Sequence, residues 1–292
     1  MTLTRLPATF SISPLPTGLT AAVTKLPAPD HRILLKKRRW LRTYSVLAPR
    51  DLERNGVPNP ADATLVFAQE EAGTAVCVSP NGVLLTCSHC VAETLEDLDW
   101  AKIHWLLFAS GEVVAARTVA WDGRCDLAVL VVVKATGNTT QASFPSIRLS
   151  PAAPKPQARL LCVGHPGSED LEASIPGAQT NYDTLVLSAG IFRGLAPGQD
   201  PQDNSEIGAL MHTCWTYWGH SGAPLVDRKT GALVGVHSSW DDETAMRRGV
   251  AWEALNEFLE SLEKDITAGA AGAATETGTG TGVPEGWVWF TK

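Results

Sequence analysis

Three observations on the 292-residue sequence predict an all-β fold of the barrel or sandwich class. From about residue 62 onward, short runs rich in Val, Leu and Thr recur, punctuated by Gly, Pro, Asn and Asp. Hydrophobic residues make up 44% of the chain, ample for a real core in one large β-type domain or two small ones. Only one stretch, near the C-terminus, carries a convincing helical period.

Residues 1–30 are rich in Pro and Thr and are predicted to be irregular. HRILLKKRRWLRTY follows, a basic stretch interleaved with Ile33, Leu34, Leu35, Trp40 and Leu41. Its run Lys36, Lys37, Arg38, Arg39 reads either as a nuclear address or nucleic-acid patch, or as a solvated basic arm lying on an acidic body. The predicted strands are TLVFA, TAVCVS, VLLT, IHWLLF, LAVLVVV, RLLCVG, TLVLSAG, APLV and ALVGV, with hairpin turns at Pro80-Asn81-Gly82 and Lys229-Thr230-Gly231. In AWEALNEFLESLEKD, Trp252, Leu255, Leu259 and Leu262 recur at helical spacing and close the domain. The small-residue segment TAGAAGAATETGTGTG reads as a linker to the aromatic tail GWVWFTK. The chain thus divides into an N-terminal arm (1–50), a folded domain (51–266), and a linker and tail (267–292).

The net charge of −7 hides an asymmetry: residues 1–50 hold nine Lys or Arg and one acid, leaving 15 basic and 30 acidic residues beyond them. No apolar run approaches the roughly 18 to 20 residues that span a bilayer, which excludes a transmembrane helix. The first 29 residues have no acid, but Arg5 and Lys25 are their only cations and they lack a continuous apolar core. A secretory signal is therefore not expected, the alternative being an organelle transit peptide. The six cysteines, at 77, 87, 90, 125, 162 and 214, mostly sit in apolar segments and read as reduced thiols of a cytoplasmic or nuclear protein. The cluster Cys87, His89, Cys90 is too crowded for an ordinary zinc site and has no second ligand pair, so neither a metal nor a cofactor is expected.

The segment GHSGAPLV places Ser221 between glycine turns ahead of an apolar run. A serine hydroxyl becomes a nucleophile only when a base takes its proton, the base is held in one tautomer, and donors face the developing oxyanion. VLLTCSHCVAE offers His89, DGRCDLAVLVV offers Asp126, and YWGHSGAPLV offers Ser221, in that order. Asp122 competes with Asp126, but its WDG context reads as a turn, while Asp126 heads an apolar strand that can bury it. His104, His165 and His212 lack such flanking patterns and read as surface or core histidines.

These blocks resemble the motifs of chymotrypsin-fold (trypsin-like) serine proteases, most closely the HtrA-type protease domain, from about residue 62 to 262. Ser79-Pro80-Asn81-Gly82 leads into Thr86-Cys87-Ser88-His89, Asp126 to Leu130 matches the DLAVL block, and Gly219 to Leu225 matches G-x-S-G-x-P-L. RLLCVGHPG and LVLSAGI resemble the family's intervening loop and strand. The resemblance implies two six-stranded antiparallel barrels, split near 140–158 and followed by the C-terminal helix, with the active site between them. It implies a serine endopeptidase acting on polypeptides, read as intracellular from the cysteines and the absence of a secretory pattern: Ser221 as nucleophile, His89 as base, Asp126 as its support, and the N–H groups of Gly219 and Ser221 as oxyanion hole.

Thr216 and His237 fall where glutamyl endopeptidases and related viral proteases carry pocket residues, implying a preference for Glu or Gln before the scissile bond. Ser238 matches the serine whose hydroxyl supports the catalytic aspartate, and Ser238, Ser239 and Trp240 would form the edge that receives an extended substrate. The sequence departs from the family at His220, which replaces an acid or amide, and at Trp218, where a small residue is usual; both are candidates for gating the pocket. Thr74 stands where the cystine partner of Cys90 would be. Two competing readings are a catalytically silent peptide-binding module with Trp218 filling the site, and a nucleic-acid-associated protein using the basic arm. Self-interaction through Trp287, Trp289 and Phe290 is a further expectation for the tail.

Overall fold

The structure is a computed structural model that describes residues 2–3, 12–68, 73–137 and 143–277. The strands β1 (Thr2–Leu3) and β2 (Ser13–Leu15) and the helices α1 (Ala21–Thr24), α2 (Ala28–Thr43) and α3 (Arg50–Arg54) come first. Barrel one then comprises β3 (Thr64–Phe67), β4 (Thr74–Ser79), β5 (Val83–Thr86), β6 (His104–Phe108), β7 (Val113–Asp122) and β8 (Leu127–Thr136). These six strands run in the order β7-β6-β3-β4-β5-β8, and the β7–β8 pairing closes the ring. Strand β1 adds to the outside of β7, and β2 pairs in parallel with β8. Barrel two is the closed set β10-β11-β14-β13-β12-β9, from β9 (Arg159–Gly164), β10 (Val186–Leu195), β11 (Leu210–His212), β12 (Pro224–Asp227), β13 (Leu233–Trp240) and β14 (Arg247–Ala251). Helix α4 (Trp252–Thr277) follows. All nine predicted runs form strands.

Strands β3 to β6 are buried at every position, which is why they read as continuous apolar runs. The period of two survives in what each face touches. Leu65 and Phe67 fill barrel one with Leu84, Leu106 and Phe108, whereas Val66 between them packs outward against Leu34 and Leu41 of α2. Val76, Leu85 and Val129 meet Val226, Leu233 and Val236 of barrel two, together with Leu255, Phe258, Leu259 and Leu262 of α4. The interface between barrels is therefore core.

The basic stretch is not fully solvated. It forms helix α2, entered through Pro27 and a proline in its first turn, where the missing N–H costs nothing. Its buried face is Leu34, Lys37, Arg38 and Leu41, an i, i+3, i+4, i+7 stripe concealed in the sequence because two of its members are cations. Their stems pack while their heads reach backbone carbonyls. Lys37 Nζ donates to Phe67 O at 3.0 Å, and Arg38 donates from Nη1 to Thr17 O at 3.2 Å and from Nε to Gly111 O at 3.4 Å. Half of the Lys36–Arg39 run thus faces barrel one. Leu34→Ala is expected to cost about 2–5 kcal/mol, read as a lower melting temperature and denaturation midpoint.

Strand β7 was not among the predicted runs because Arg117 and Thr118 interrupt its apolar pattern; the strand is nonetheless buried at eight of its ten positions. Helix α4 begins where AWEALNEF predicts and continues to Thr277, because its Ala-rich second half favours helix over linker. The expected tail residues Trp287, Trp289 and Phe290 lie outside the described residues. No helix is long and apolar enough to cross a membrane among those described.

Candidate active site

His89 sits in a single 3-10 turn, Ser88–Cys90, directly after β5. The turn is pinned by the Trp121 indole, which donates to Ser88 O at 3.1 Å. Asp126 lies at the head of β8 with φ +52, a left-handed conformation unusual for a residue other than glycine, and is buried. Asp122 is indeed a turn residue: its Oδ1 accepts from the N–H groups of Arg124 and Cys125, both at 3.0 Å.

Three donors converge on Asp126 Oδ1. They are His89 Nδ1 at 2.9 Å, Ser88 Oγ at 2.9 Å and His89 N at 3.3 Å. Burial disfavours the charged imidazole of His89, but the neighbouring Cys90 and the Asp126 carboxylate outweigh it and hold the pKa well above the usual histidine range. The supporting hydroxyl belongs to Ser88 and not to Ser238. A bulge between His237 and Ser239 turns the Ser238 hydroxyl toward Ser239 Oγ, 3.2 Å away. Ser88 is the Asp126 partner that no sequence pattern singles out; its place one residue before His89 is the available signal.

Ser221 follows Gly219, with φ +95, and precedes Gly222, with φ +85. Both glycines are required twice over, by dihedral and by space: a Cβ at 219 would stand 2.5 Å from His165 O, and one at 222 would collide with Thr74 O. Ser221 Oγ donates to Ser238 O at 3.1 Å. The N–H groups of Gly219 and Ser221 donate to no acceptor among the described residues. The Ser221 carbonyl accepts from Thr74 N at 2.7 Å and is approached by Cys90 Sγ at 3.5 Å. All six cysteines are free; the residue opposite Cys90 Sγ is Gly73, where a Cβ would stand 2.7 Å away, and not Thr74, whose hydroxyl meets the serine loop instead.

A narrow pocket of about 70 Å³ opens beside Ser221, lined by Glu172, Thr216, Tyr217, Trp218, His237, Ser238, Ser239 and Trp240. Trp218 does not fill it. Its ring stands on the rim, 51% exposed, at 6.3 Å and 67° from the Trp240 ring. Arg247 lies over the Trp240 ring, 5.4 Å from its centroid.

His220 does not face the cleft. It is fully buried in barrel two, bonded to Tyr217 through Nδ1, with its pKa lowered to about 3 by burial. His237 is buried as well, and burial, followed by the nearby His212, His220 and Arg247, holds it well below the ordinary range. His212, which its sequence context leaves as a surface or a core histidine, is buried, with Nε2 3.0 Å from His237 Nδ1. Only the register of β11 and β13 against β14 brings these two rings together, so no local pattern could reveal the contact.

Cys87, His89 and Asp126 place their donor atoms within 4.8 Å of one another. Burial, followed by the Asp126 charge, raises the Cys87 thiol well above its usual pKa.

Residues 73–236 match the family model described as a trypsin-like peptidase domain. The chain belongs to this family. It is a serine-type endopeptidase of chymotrypsin-like fold. Solved structures similar to this trypsin-like peptidase include the serine endoprotease from Yersinia pestis, 19% identical over 76% of this chain and 69% of its own, with TM-score 0.51. Another is the inactive form of the protease Rv3671c from M. tuberculosis H37Rv in a serine-to-alanine mutant, 16% identical over 75% of this chain and 95% of its own, with TM-score 0.50. The HtrA-type protease AlgW with a decapeptide is 20% identical over 66% of this chain and 52% of its own, with TM-score 0.47. At these identities the likeness is one of fold. No curated protein matches the sequence significantly.

Proposed function

We propose that this peptidase cleaves polypeptides with Ser221 as nucleophile, His89 as general base and then acid, and Asp126 as the group that orients and supports the imidazolium. The carrying observation is the 2.9 Å contact between His89 Nδ1 and Asp126 Oδ1, which leaves His89 Nε2 to take the serine proton. Ser221 Oγ must first leave Ser238 O, and a substrate strand pairing with the edge at Ser238, Ser239 and Trp240 brings an N–H that competes for that carbonyl. Oγ then attacks the peptide carbonyl, and its proton passes to His89. The oxyanion is received by the N–H groups of Gly219 and Ser221, and His89 returns the proton to the leaving amine. Water repeats the sequence on the acyl-enzyme. Labelling by a fluorophosphonate that Ser221→Ala abolishes tests the assignment; equal labelling of the variant sinks it.

The pocket supports a preference for Glu or Gln before the cut. With His212 bonded to Nδ1, His237 keeps Nε2 as its uncommitted nitrogen, and a neutral N–H there can donate to a carboxylate or amide oxygen beside the Thr216 hydroxyl. His237→Leu is expected to lower kcat/KM for Glu and Gln peptides by about 100-fold while sparing small apolar residues at that position. Cleavage profiling on a peptide library reads this directly, and enrichment of Arg, Lys or large apolar residues in the wild type overturns it. The six free cysteines support a reducing, intracellular setting. Fractionation of cells expressing the tagged chain tests that setting, and a secreted product contradicts it.

A further inference from the structure

Gly219 has no side chain to hold its own conformation, since glycine populates positive and negative φ about equally. The direction of the oxyanion donors therefore depends on what grips the neighbouring carbonyls. In a trans peptide the N–H points away from the carbonyl of the same unit, so anchoring a carbonyl aims an N–H. The Trp218 carbonyl is held by Gly167 N at 2.7 Å, which directs Gly219 N–H the opposite way. The next carbonyl, that of Gly219 itself, is held from the other barrel, with Thr74 Oγ1 donating to it at 2.9 Å. The N–H of that peptide unit is His220's, which donates to Tyr217 O at 3.0 Å, so the Thr74 bond fixes the second of the two peptide planes that together set the Gly219 dihedrals.

The same hydroxyl accepts from His165 N at 3.0 Å, so both its donor and acceptor capacities are used and its proton position is determined. Thr74 N donates to Ser221 O at 2.7 Å, and Thr74 O accepts from Thr86 Oγ1 at 2.7 Å. Thr74 is completely buried, in low-dielectric surroundings where such bonds are strong and their loss is costly. One residue of β4 thus grips the serine loop at two points across the barrel interface.

We propose that Thr74 is a positioning residue for the oxyanion hole, its hydroxyl tying Gly219 and the His165 segment to barrel one so that the Gly219 and Ser221 N–H groups stay aimed at the substrate carbonyl. The inference rests on the assignment of Ser221 as nucleophile. Losing one oxyanion donor outright costs about 10²- to 10³-fold in kcat, and loosening its aim should cost less.

The test compares Thr74→Val, Thr74→Ser and, as a control on a buried hydroxyl bonded to Pro60 O away from the serine loop, Thr64→Val, all in the 292-residue chain. Thr74→Val is expected to lower kcat by about 10- to 100-fold with KM changed less than about 3-fold. It should weaken a peptide boronate, which forms a tetrahedral adduct on the serine, by the same factor. Thr74→Ser should restore both, and Thr64→Val should lower stability without this split. Unchanged kcat and boronate affinity in Thr74→Val overturns the proposal, as does an equal loss in Thr64→Val. If Thr74→Val does not fold, Thr74→Cys, nearly isosteric with Thr74→Ser but a weak donor, takes its place, and equal boronate affinities of these two variants overturn the proposal. Fluorophosphonate labelling that survives Ser221→Ala overturns the nucleophile assignment itself; Ser221-dependent labelling with an indifferent Thr74→Val removes the Thr74 role alone.

Discussion

Replacing Ser221 by alanine is expected to reduce kcat by about 10³- to 10⁶-fold, and His89→Ala by a similar factor, because members of a triad act as a unit and not as additive contributors. The double variant should be little worse than either single one. Removal of the Ser221 hydroxyl breaks a bond to a backbone carbonyl at 3.1 Å and leaves the glycine turns and the Thr74 contacts in place, so the fold should persist. Steady-state hydrolysis of a fluorogenic peptide, with circular dichroism on the same samples, checks both parts. Additive losses in the double variant would place the two residues in separate roles.

Asp126→Asn should lower kcat by about 10⁴-fold at neutral pH. An amide can present an N–H to His89 Nδ1, favouring the tautomer that leaves Nε2 unable to accept a proton from a donor it must also bond. Its effect on the pH profile has a definite sign. His89 is a base only when neutral, and in the wild type its pKa is held well above the ordinary range, with Cys90 and Asp126 as the raising influences. Wild-type kcat/KM should therefore climb with rising pH along a limb displaced to the alkaline side of about 6.5, the ordinary histidine value. With the carboxylate charge gone, that limb should move toward lower pH. A limb that stays where it was would mean that Asp126 does not set the charge state of His89.

Ser88→Ala probes the same carboxylate from the other side. It removes one of three donors to a buried oxygen and leaves the His89 contact intact, so kcat should fall by a few-fold to about 10-fold, far less than for Asp126→Asn. Ser238→Ala, whose hydroxyl faces Ser239, should leave the pH limb unmoved.

Much of this arrangement was legible in the chain. Strands such as TAVCVS and RLLCVG are continuous apolar runs of strand length, and their burial on both faces follows from barrel interiors packed against each other. Gly219 and Gly222 announced a turn with special dihedrals around Ser221, and Asp122 announced the turn that it makes. Helix α2 escaped because Lys37 and Arg38 occupy its inward face, and a periodicity scored on apolar residues does not see aliphatic stems beneath charged heads. Trp218 looked like an obstruction in one dimension; its ring stands on the rim in three.

The sequence by itself determined the all-β class, the order of His89, Asp126 and Ser221, and the backbone freedom that their turns need, because these depend on local composition and on residues adjacent in the chain. The tertiary structure decided which hydroxyl supports Asp126, which ring backs His237, and how Thr74 grips a loop about 145 residues away. Those contacts form between strands whose register is set by closing two barrels and packing them together, and a one-residue shift would turn every such side chain to the opposite face.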